Sequence, residues 1–365
     1  MSFLAVLAVI GVLALLIFVH ELGHFMAARL QGIHVNRFSI GFGPILWKFQ
    51  GPETEYALRA IPLGGFVGFP DDDPDSAIPP EDPDLLRNRP VLDRAIVISA
   101  GVIANMIFAY LVLLLQFGSV GVPSFSPLPG VLIPGVMSDS PAAAAGIQAG
   151  DVILSVDGQT LGKNEGVEKQ LVSAIQKSPN EPVAMTIRRA QKDLSVEVTP
   201  EVSEKTGNAV IGIELIPNME VSYRRANSPV EVITEAAREF QAKTKLVAGG
   251  MLALITNFSS MADQVGSPVR IVEQGAGLAK SDSTNLFPFA AIISINLAVL
   301  NILPLPALDG GQLAFLLIEA LRGKPLPMRL QESVMQTGIF LLLGLGVFLI
   351  IRDTTQLEVL QNLRQ

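Results

Sequence analysis

Two histidines and a glutamate lie together in the segment His20-Glu21-Leu22-Gly23-His24. Residues four apart on an α-helix project from the same face, so His20 and His24 can present two imidazole nitrogens to one Zn²⁺. Glu21 lies about 100° round the helix from His20, where it can take a proton from a metal-bound water. The spacing therefore predicts a metal centre that carries out hydrolysis.

The setting of this motif favours the metal site over a chance match of five residues. The motif ends an uncharged run that begins at Phe3. Ionisable side chains at membrane depth carry a desolvation cost that a partner or a metal must offset, and such side chains are functional by default.

Composition indicates a membrane protein. The 365 residues are 49% hydrophobic and only 16% charged, with a mean hydropathy of +0.45, which is too apolar for an ordinary soluble enzyme. The net charge of -8 argues against nucleic acid as a partner, because no basic stripe exists to neutralise phosphates. The chain has no cysteine, so a metal site must use His, Asp or Glu.

The apolar segments predict a polytopic α-helical membrane protein with about four transmembrane helices, a membrane-associated β-hairpin region and one inserted α+β domain. We expect no cleaved signal peptide, because no basic residue precedes the apolar run and no small-x-small site precedes His20. The predicted boundaries are a first transmembrane helix with the motif at 1–31, a hairpin region with an acidic loop at 32–94, a second transmembrane helix at 95–120, a soluble domain at 121–217, amphipathic and interfacial helices at 218–285, a third transmembrane helix with the following helix at 286–321, and a fourth transmembrane helix at 333–352.

Two interpretations of the hairpin region remain open. Alternation and glycines in residues 55–69 predict β-hairpins with an apolar tip. That tip can enter lipid only if its backbone groups are paired or shielded. The alternative is a small cytosolic β-subdomain.

The third transmembrane segment runs into an irregular stretch. Pro304 and Pro306 are two apart and cannot both lie in a regular helix, so the chain must open there. Irregular backbone at membrane depth is tolerated where it lines a cavity. Asp309 then lies beside that cavity and is the simplest third ligand for His20 and His24, with a fourth position open for water. The alternative is that Asp309 caps the following helix.

Charge in the loops predicts the orientation. Four crossings leave loops 25–94 and 322–332 on one side and the soluble domain on the other. Both loops carry arginines and lysines, and the positive-inside rule puts them in the cytoplasm. We therefore expect a multi-pass protein of the cell inner membrane, with the soluble domain on the outer or periplasmic face and the metal site toward the cytoplasmic side. A plastid membrane is the alternative.

The order of the motifs resembles the site-2 protease family. The chain has the His-Glu-Leu-Gly-His motif, a Pro-Leu-Gly-Gly-Phe hairpin at 62–66, a Gly-Asp-x-Ile-Leu-x-Val-Asp-Gly run at 150–158 similar to that of bacterial PDZ domains, and Asn-x-x-Pro-x-Pro-x-Leu-Asp-Gly at 301–310. The likeness is greatest to the bacterial regulator-of-sigma-E intramembrane metalloproteases and their chloroplast relatives. It implies a zinc endopeptidase, with one Zn²⁺ per chain, that cuts transmembrane segments of single-span proteins in regulated intramembrane proteolysis, such as clipped anti-sigma factors or signal-peptide remnants.

The same resemblance assigns roles to residues. It makes His20, His24 and Asp309 the zinc ligands and Glu21 the catalytic acid/base. It also implies that substrate is bound by Asn301, Pro304, Pro306 and the hairpin around Gly64 and Gly65. PDZ domains bind extended peptides at a sheet edge, and the alternative for this domain is a spacer or steric filter with no ligand.

Other classes of protein fit less well. A non-catalytic membrane scaffold or chaperone that acts through its PDZ domain would be expected to have lost Glu21 or a ligand, and none is lost. A transporter with broken helices would suit Pro304 and Pro306, but no inverted repeat is present. Asn105, in the second transmembrane segment, is expected to bond a neighbouring helix rather than to act in catalysis.

Overall fold

A computed structural model describes residues 2–73, 76–137, 139–163, 166–203, 207–257 and 266–355. The chain forms two compact units. One unit is Val122–Arg225, and the other is built from the chain on either side of it.

Long helices dominate the first unit. The described helices of the whole chain are α1 (Phe3–Leu30), α2 (Val91–Ser119), α3 (Pro141–Ala144), α4 (Val167–Lys177), α5 (Pro229–Thr256), α6 (Pro268–Ser281), α7 (Leu286–Ile302), α8 (Asp309–Arg322) and α9 (Met328–Thr355), with 3₁₀ turns at Pro70–Asp72, Leu86–Asn88 and Ser283–Asn285. Within the described chain, four helical segments are long and apolar enough to cross a membrane, namely α1, α2, the segment Ser283–Ile302 and α9. They agree with the four apolar segments of the sequence.

Small residues let these helices approach closely. A Cβ atom added at Gly23 of α1 would lie 2.5 Å from the carbonyl oxygen of Ala100 and 2.7 Å from Cβ of Ala104, both on α2. Further along, α2 shares a buried apolar cluster with α7, through residues such as Leu113 and Ile295. Only 11% of the apolar 18-residue stretch of α9 is buried, so most of that helix faces outward.

The chain opens between α7 and α8, as the two prolines predict. Helix α7 ends at Ile302 and α8 begins at Asp309. A Cβ atom at Gly310 would overlap the carbonyl oxygens of Ile302 and Leu303, so glycine is needed where the new helix starts against the end of the old one. Leu308 occupies the N-cap position of α8 without a side-chain cap. The alternative in which Asp309 caps this helix is therefore wrong.

The hairpin region forms a sheet from two long, bent strands, β1 (Arg37–Gln50) and β2 (Glu55–Gly68). The start of β1 lies between the two ends of β2, because Phe38 pairs with Tyr56 in a parallel register and with Val67 in an antiparallel one. Among the described residues, segment 65–68 of β2 has residues 37–40 as its strand partner. It is therefore an edge of the sheet.

The second unit is a sheet with a helix packed on it. Its strands are β3 (Val122–Leu132), β4 (Val152–Val156), β5 (Gln159–Thr160), β6 (Val183–Arg189), β7 (Lys192–Val198), β8 (Glu201–Val202), β9 (Ala209–Val210) and β10 (Ile216–Arg224). The main sheet has the order β10-β3-β4-β6-β7, with β5 on β4. Ile153, Leu171 of α4 and Ile187 are fully buried in its core.

Two sequence-based boundaries are corrected by the structure. The second unit ends at Arg225 rather than at residue 217, because β10 continues to pair with β3 as far as Arg224 opposite Val122. The region 218–285, predicted as amphipathic and interfacial helices, begins with the end of β10 and then contains α5, one continuous helix from Pro229 to Thr256, and α6.

A buried carboxylate ties the main sheet of the second unit together. The side chain of Asp151 is 1% exposed and accepts two hydrogen bonds of 2.7 Å from the guanidinium of Arg189. It also accepts one of 2.8 Å from the backbone N–H of Gln148. Burial by itself would raise the pKa of Asp151, but these hydrogen bonds outweigh it and hold the pKa below its ordinary value.

Replacing Asp151 by asparagine should destabilise the second unit by about 1.5–3 kcal/mol at pH 7, the usual contribution of hydrogen bonds to a charged group. Because the folded-state pKa lies below the ordinary value of 3.8, the wild-type contribution is complete above that value and is lost as the pH falls through the folded pKa. Urea unfolding of residues 122–225 between pH 3 and 7 measures it. Asp193→Asn is the control, since Asp193 pairs with Arg188 on an exposed surface and should change stability little; equal losses in both variants would contradict the prediction.

Candidate metal centre

Three polar atoms from two helices meet in the first unit. The Nε2 atoms of His20 and His24 lie 3.3 Å apart. The Oδ2 atom of Asp309 lies 3.3 Å from Nε2 of His20 and 3.4 Å from Nε2 of His24. All three side chains are largely buried, with exposed fractions of 10%, 12% and 16%. The three residues that the sequence predicted as ligands therefore form one triangle.

The dimensions of this triangle fit a metal ion. Three donor atoms held at 2.0–2.1 Å from one zinc in a tetrahedron lie about 3.3–3.4 Å apart. Asp309 Oδ2 is buried without a hydrogen-bond partner, and a buried acceptor left unpaired is costly. Two imidazoles and a carboxylate with one side open are the ligand set of a catalytic zinc site.

Local structure explains why the triangle forms. Helix α1 places His20 and His24 one turn apart on the same face. The opening between α7 and α8 brings Asp309, the first residue of α8, to the same place. On the other side α2 approaches through Gly101, where an added Cβ atom would overlap Nε2 of His24 and lie 2.8 Å from Cε1 of His20.

The second nitrogen of each imidazole faces α2. Nδ1 of His24 is 2.8 Å from the carbonyl oxygen of Val97. Nδ1 of His20 is 3.2 Å from the side-chain amide of Asn105, which is fully buried. Such outer contacts orient the rings of metal-binding histidines.

Glu21 lies in the same place, against the hairpin sheet. A Cβ atom added at Gly65 would lie 2.7 Å from Cγ of Glu21 and 2.9 Å from the carbonyl oxygen of Ser39. Glu21, Gly64 and Gly65 all line a cavity of about 960 Å³ together with the three residues of the triangle. The edge segment 65–68 therefore borders the same cavity as the predicted base.

The remaining predicted residues fall into two groups. Asn301 lines the cavity, and its Nδ2 atom is 3.3 Å from Nε2 of His20. Pro304 and Pro306 are not among the residues that line the cavity. Pro306 packs instead against Gly338 of α9, where a Cβ atom would overlap it. Contact of these two prolines with substrate stays a prediction.

A second group of potential ligands lies near the surface. Side-chain atoms of His34, Asp82 and Asp84 lie within 4.8 Å of one another. All three side chains are partly exposed, and the guanidinium of Arg89 already donates a 2.8 Å hydrogen bond to Asp84. This neighbour makes the group an ion-pair network.

Sequence reasoning missed several residues around the triangle. The local pattern assigns no role to Gly101 and predicts only that Asn105 bonds a neighbouring helix. They are four apart on one face of α2, and a glycine one turn from an asparagine in an apolar helix is a signal of close helix contact. No such signal marks the partly buried ion pair between Arg94 of α2 and Glu319 of α8, which also borders the cavity.

Comparison with known proteins covers nearly the whole chain. The sequence pattern of peptidase family M50 matches residues 8–345. The chain is 60% identical over 356 residues to a Nostoc sp. protein whose name describes it as a zinc metalloprotease, covering 97% of each sequence. It is 48% identical to the chloroplastic membrane metalloprotease ARASP of Arabidopsis thaliana, over 99% of this chain and 81% of that protein.

A more distant relative is the regulator of sigma-W protease RasP of Bacillus subtilis, which is 29% identical over 96% of this chain and 98% of that protein. Among solved structures, a PDZ domain of the SdrC-like protein of Listeria monocytogenes is 26% identical and covers 24% of this chain and 87% of that chain, with a TM-score of 0.22. The PDZ assignment of the second unit stays a prediction.

Gly101→Ala should weaken metal binding by at least about tenfold, the scale seen when the groups around a metal ligand are disturbed, because the new methyl group displaces the ring of His24. Zinc content after dialysis against a weak chelator measures the loss. Gly118→Ala, on the same helix with nothing within 4 Å of the added Cβ, is the matched control. Zinc retained in both variants would contradict the steric argument.

Proposed function

This chain belongs to peptidase family M50, and from that premise we propose that it is an intramembrane endopeptidase that hydrolyses peptide bonds within the transmembrane segments of single-span proteins. Its relatives over nearly their full length are named as zinc metalloproteases, and this chain is one as well. The observation that carries the proposal is the buried triangle of His20, His24 and Asp309, which opens into a cavity among helices of membrane length.

In the proposed mechanism Nε2 of His20, Nε2 of His24 and Oδ2 of Asp309 would hold one Zn²⁺ per chain. The spacing of these atoms and the unpaired state of Asp309 Oδ2 support this assignment. When bound, the ion supplies a Lewis acid and lowers the pKa of a coordinated water toward about 7.

Glu21 moves the proton. It follows His20 directly on α1 and lines the cavity, so its carboxylate can take a proton from the attacking water and pass it to the leaving nitrogen. The close approach of Gly65 to Glu21 Cγ limits the positions that this carboxylate can occupy. Limiting its positions keeps the base oriented toward the cavity.

Asn301 is proposed to stabilise the developing oxyanion. Its Nδ2 atom faces Nε2 of His20 at 3.3 Å, and a His20 nitrogen that served as a zinc ligand would accept no hydrogen bond from it. The amide N–H is then free to donate to the carbonyl oxygen of a peptide in the cavity.

Substrate is proposed to bind by strand addition. A transmembrane helix must be unwound before its peptide bonds can reach a metal site, and pairing with a sheet edge compensates for the lost helical hydrogen bonds. Segment 65–68 is an edge of the hairpin sheet and borders the cavity. This position supports the predicted contact of substrate with Gly64 and Gly65.

We propose that the part of the hairpin sheet between Phe42 and Ile61 contacts lipid rather than forming a cytosolic subdomain. Large apolar side chains there are about half exposed, namely Phe42, Ile45, Leu46, Trp47, Phe49, Leu58 and Ile61. The backbone of the region is paired, which is the condition for entering a bilayer.

The second unit is proposed to be a PDZ domain that binds an extended peptide. Its antiparallel sheet with one packed amphipathic helix, α4, supports this interpretation, as does the Gly-Asp-x-Ile-Leu-x-Val-Asp-Gly run that contains β4. Peptides add to such domains at a sheet edge.

Glu21→Gln should retain about one zinc per chain, as a single three-ligand site implies, and should lose cleavage because the amide cannot accept the proton of the water. The purified full chain in detergent is incubated with a tagged single-span substrate, and zinc content is measured alongside. Wild-type protein without zinc, or cleavage that survives in Glu21→Gln, would contradict the proposed catalytic site. A non-catalytic scaffold would then be favoured. A clipped form of the substrate is included, so that a requirement for prior clipping is detected.

The orientation of the protein in the membrane can be tested by labelling introduced cysteines. The chain has no native cysteine that would also react. We propose that the protein lies in the cell inner membrane with the second unit outside and the loop around Lys324 in the cytoplasm. An impermeant maleimide added to intact cells should label Lys192→Cys in the second unit and spare Lys324→Cys until the membrane is opened. Both positions are exposed, so the reverse pattern would invert the topology.

A further inference from the structure

In each histidine, one ring nitrogen faces away from the triangle. The hydrogen bond that this nitrogen makes decides whether the second nitrogen of the same ring can bind a metal. Nε2 of His20 and of His24 both face Asp309 Oδ2. A neutral imidazole carries one proton, and the nitrogen that binds a metal must be the one without it. Both rings must therefore carry their proton on Nδ1, and each Nδ1–H needs an acceptor in this buried place.

For His24 the backbone provides that acceptor. Nδ1 of His24 lies 2.8 Å from the carbonyl oxygen of Val97. A carbonyl oxygen only accepts hydrogen bonds, so Nδ1 must be the donor. The lone pair of His24 is then on Nε2, where the proposed site needs it.

For His20 the partner is a side chain that can face it in two ways. Nδ2 of Asn105 lies 3.2 Å from Nδ1 of His20, and in this orientation of the amide group Oδ1 of Asn105 is buried with no partner. The nitrogen and oxygen of an amide are exchanged by a half-turn of the group, and the hydrogen-bond network decides between them. A donating Nδ2 would require the proton of His20 on Nε2, which would block the metal.

We propose that Asn105 is a positioning residue, whose Oδ1 accepts a hydrogen bond from Nδ1–H of His20 and so fixes the tautomer and ring plane that present Nε2 to zinc. This inference rests on the proposed zinc site, because it takes His20 as a ligand. It gives the asparagine a part in metal binding beyond the packing of helices.

The surroundings of Asn105 hold it in place for this role. The residue is fully buried on α2. Its backbone carbonyl accepts a 2.8 Å hydrogen bond from Oγ of Ser294, a buried residue of α7. The side chain thus lies where α1, α2 and α7 meet, in a low-dielectric region where an oriented hydrogen bond is strong.

The test measures zinc affinity, which does not depend on substrate or turnover. The full-length protein in detergent is titrated against a chromophoric zinc chelator as wild type, Asn105→Leu and Asn105→Asp. Asn105→Leu removes the acceptor and should weaken zinc binding by about 10–100-fold, the usual effect of losing an outer partner of a ligand. Asn105→Asp keeps an acceptor in the same place but cannot donate when ionised, and its affinity should stay close to that of the wild type.

Gln116→Leu is the matched control, because Gln116 is also a buried amide of α2 with an unpaired side-chain oxygen but belongs to no part of the triangle. Its zinc affinity should not change. Wild-type affinity in Asn105→Leu would overturn the inference. So would a loss in Asn105→Asp equal to that in Asn105→Leu, since an asparagine that serves only to pack the helices predicts that result.

Asn105→Asp decides the question alone if Asn105→Leu does not fold, because an accepting oxygen predicts that zinc affinity is kept, whereas a role of the intact amide in helix packing predicts that it falls. His20→Ala separates this inference from the proposed function. If His20→Ala binds zinc as tightly as the wild type, the proposed ligand set is wrong. If His20→Ala loses zinc while Asn105→Leu keeps it, the ligand set stands and only the role of Asn105 is wrong.

Discussion

The cost of burying polar groups in an apolar helix bundle shapes the metal centre and much of what surrounds it. His20, His24 and Asp309 leave water when the helices pack, and each of their polar atoms needs a partner there. The three ligating atoms face one another, and in the proposed site their shared partner would be a zinc ion. The atoms that face away need acceptors within the protein.

Helix α2 contributes no proposed ligand, yet it supplies most of the partners and the space that these buried side chains require. Gly101 leaves room for both imidazoles, the carbonyl of Val97 accepts from His24, and Asn105 lies against His20. At its first turn Arg94 forms a partly buried ion pair with Glu319 of α8, the helix that begins with Asp309. Helix α2 thus contacts both helices that carry the proposed ligands, α1 and α8, and holds them in position relative to each other.

The sequence predicted the membrane-length helices and the ligand set because both depend on local patterns. Apolar runs of sufficient length are visible without a structure, and so are two histidines four apart and an aspartate after two prolines. The contacts of Asn105, Gly101 and Gly65 depend on which helix or strand lies opposite, which no local pattern specifies. The end of the second unit was placed too early for the same reason, since β10 is a strand only through its pairing with the distant β3.

The size of the triangle of His20, His24 and Asp309 affects which metal ion it can bind. The edges of the triangle, 3.3–3.4 Å, match tetrahedral coordination at the bond lengths of zinc. An ion such as Mg²⁺, which prefers octahedral geometry at 2.0–2.1 Å, needs neighbouring donor atoms about 2.9 Å apart. To accept it, the triangle would have to contract by about 0.4 Å on every edge, against ring positions fixed by Val97 and Gly101. In the proposed site, coordination geometry would therefore favour zinc over Mg²⁺ although the two ions form bonds of similar length.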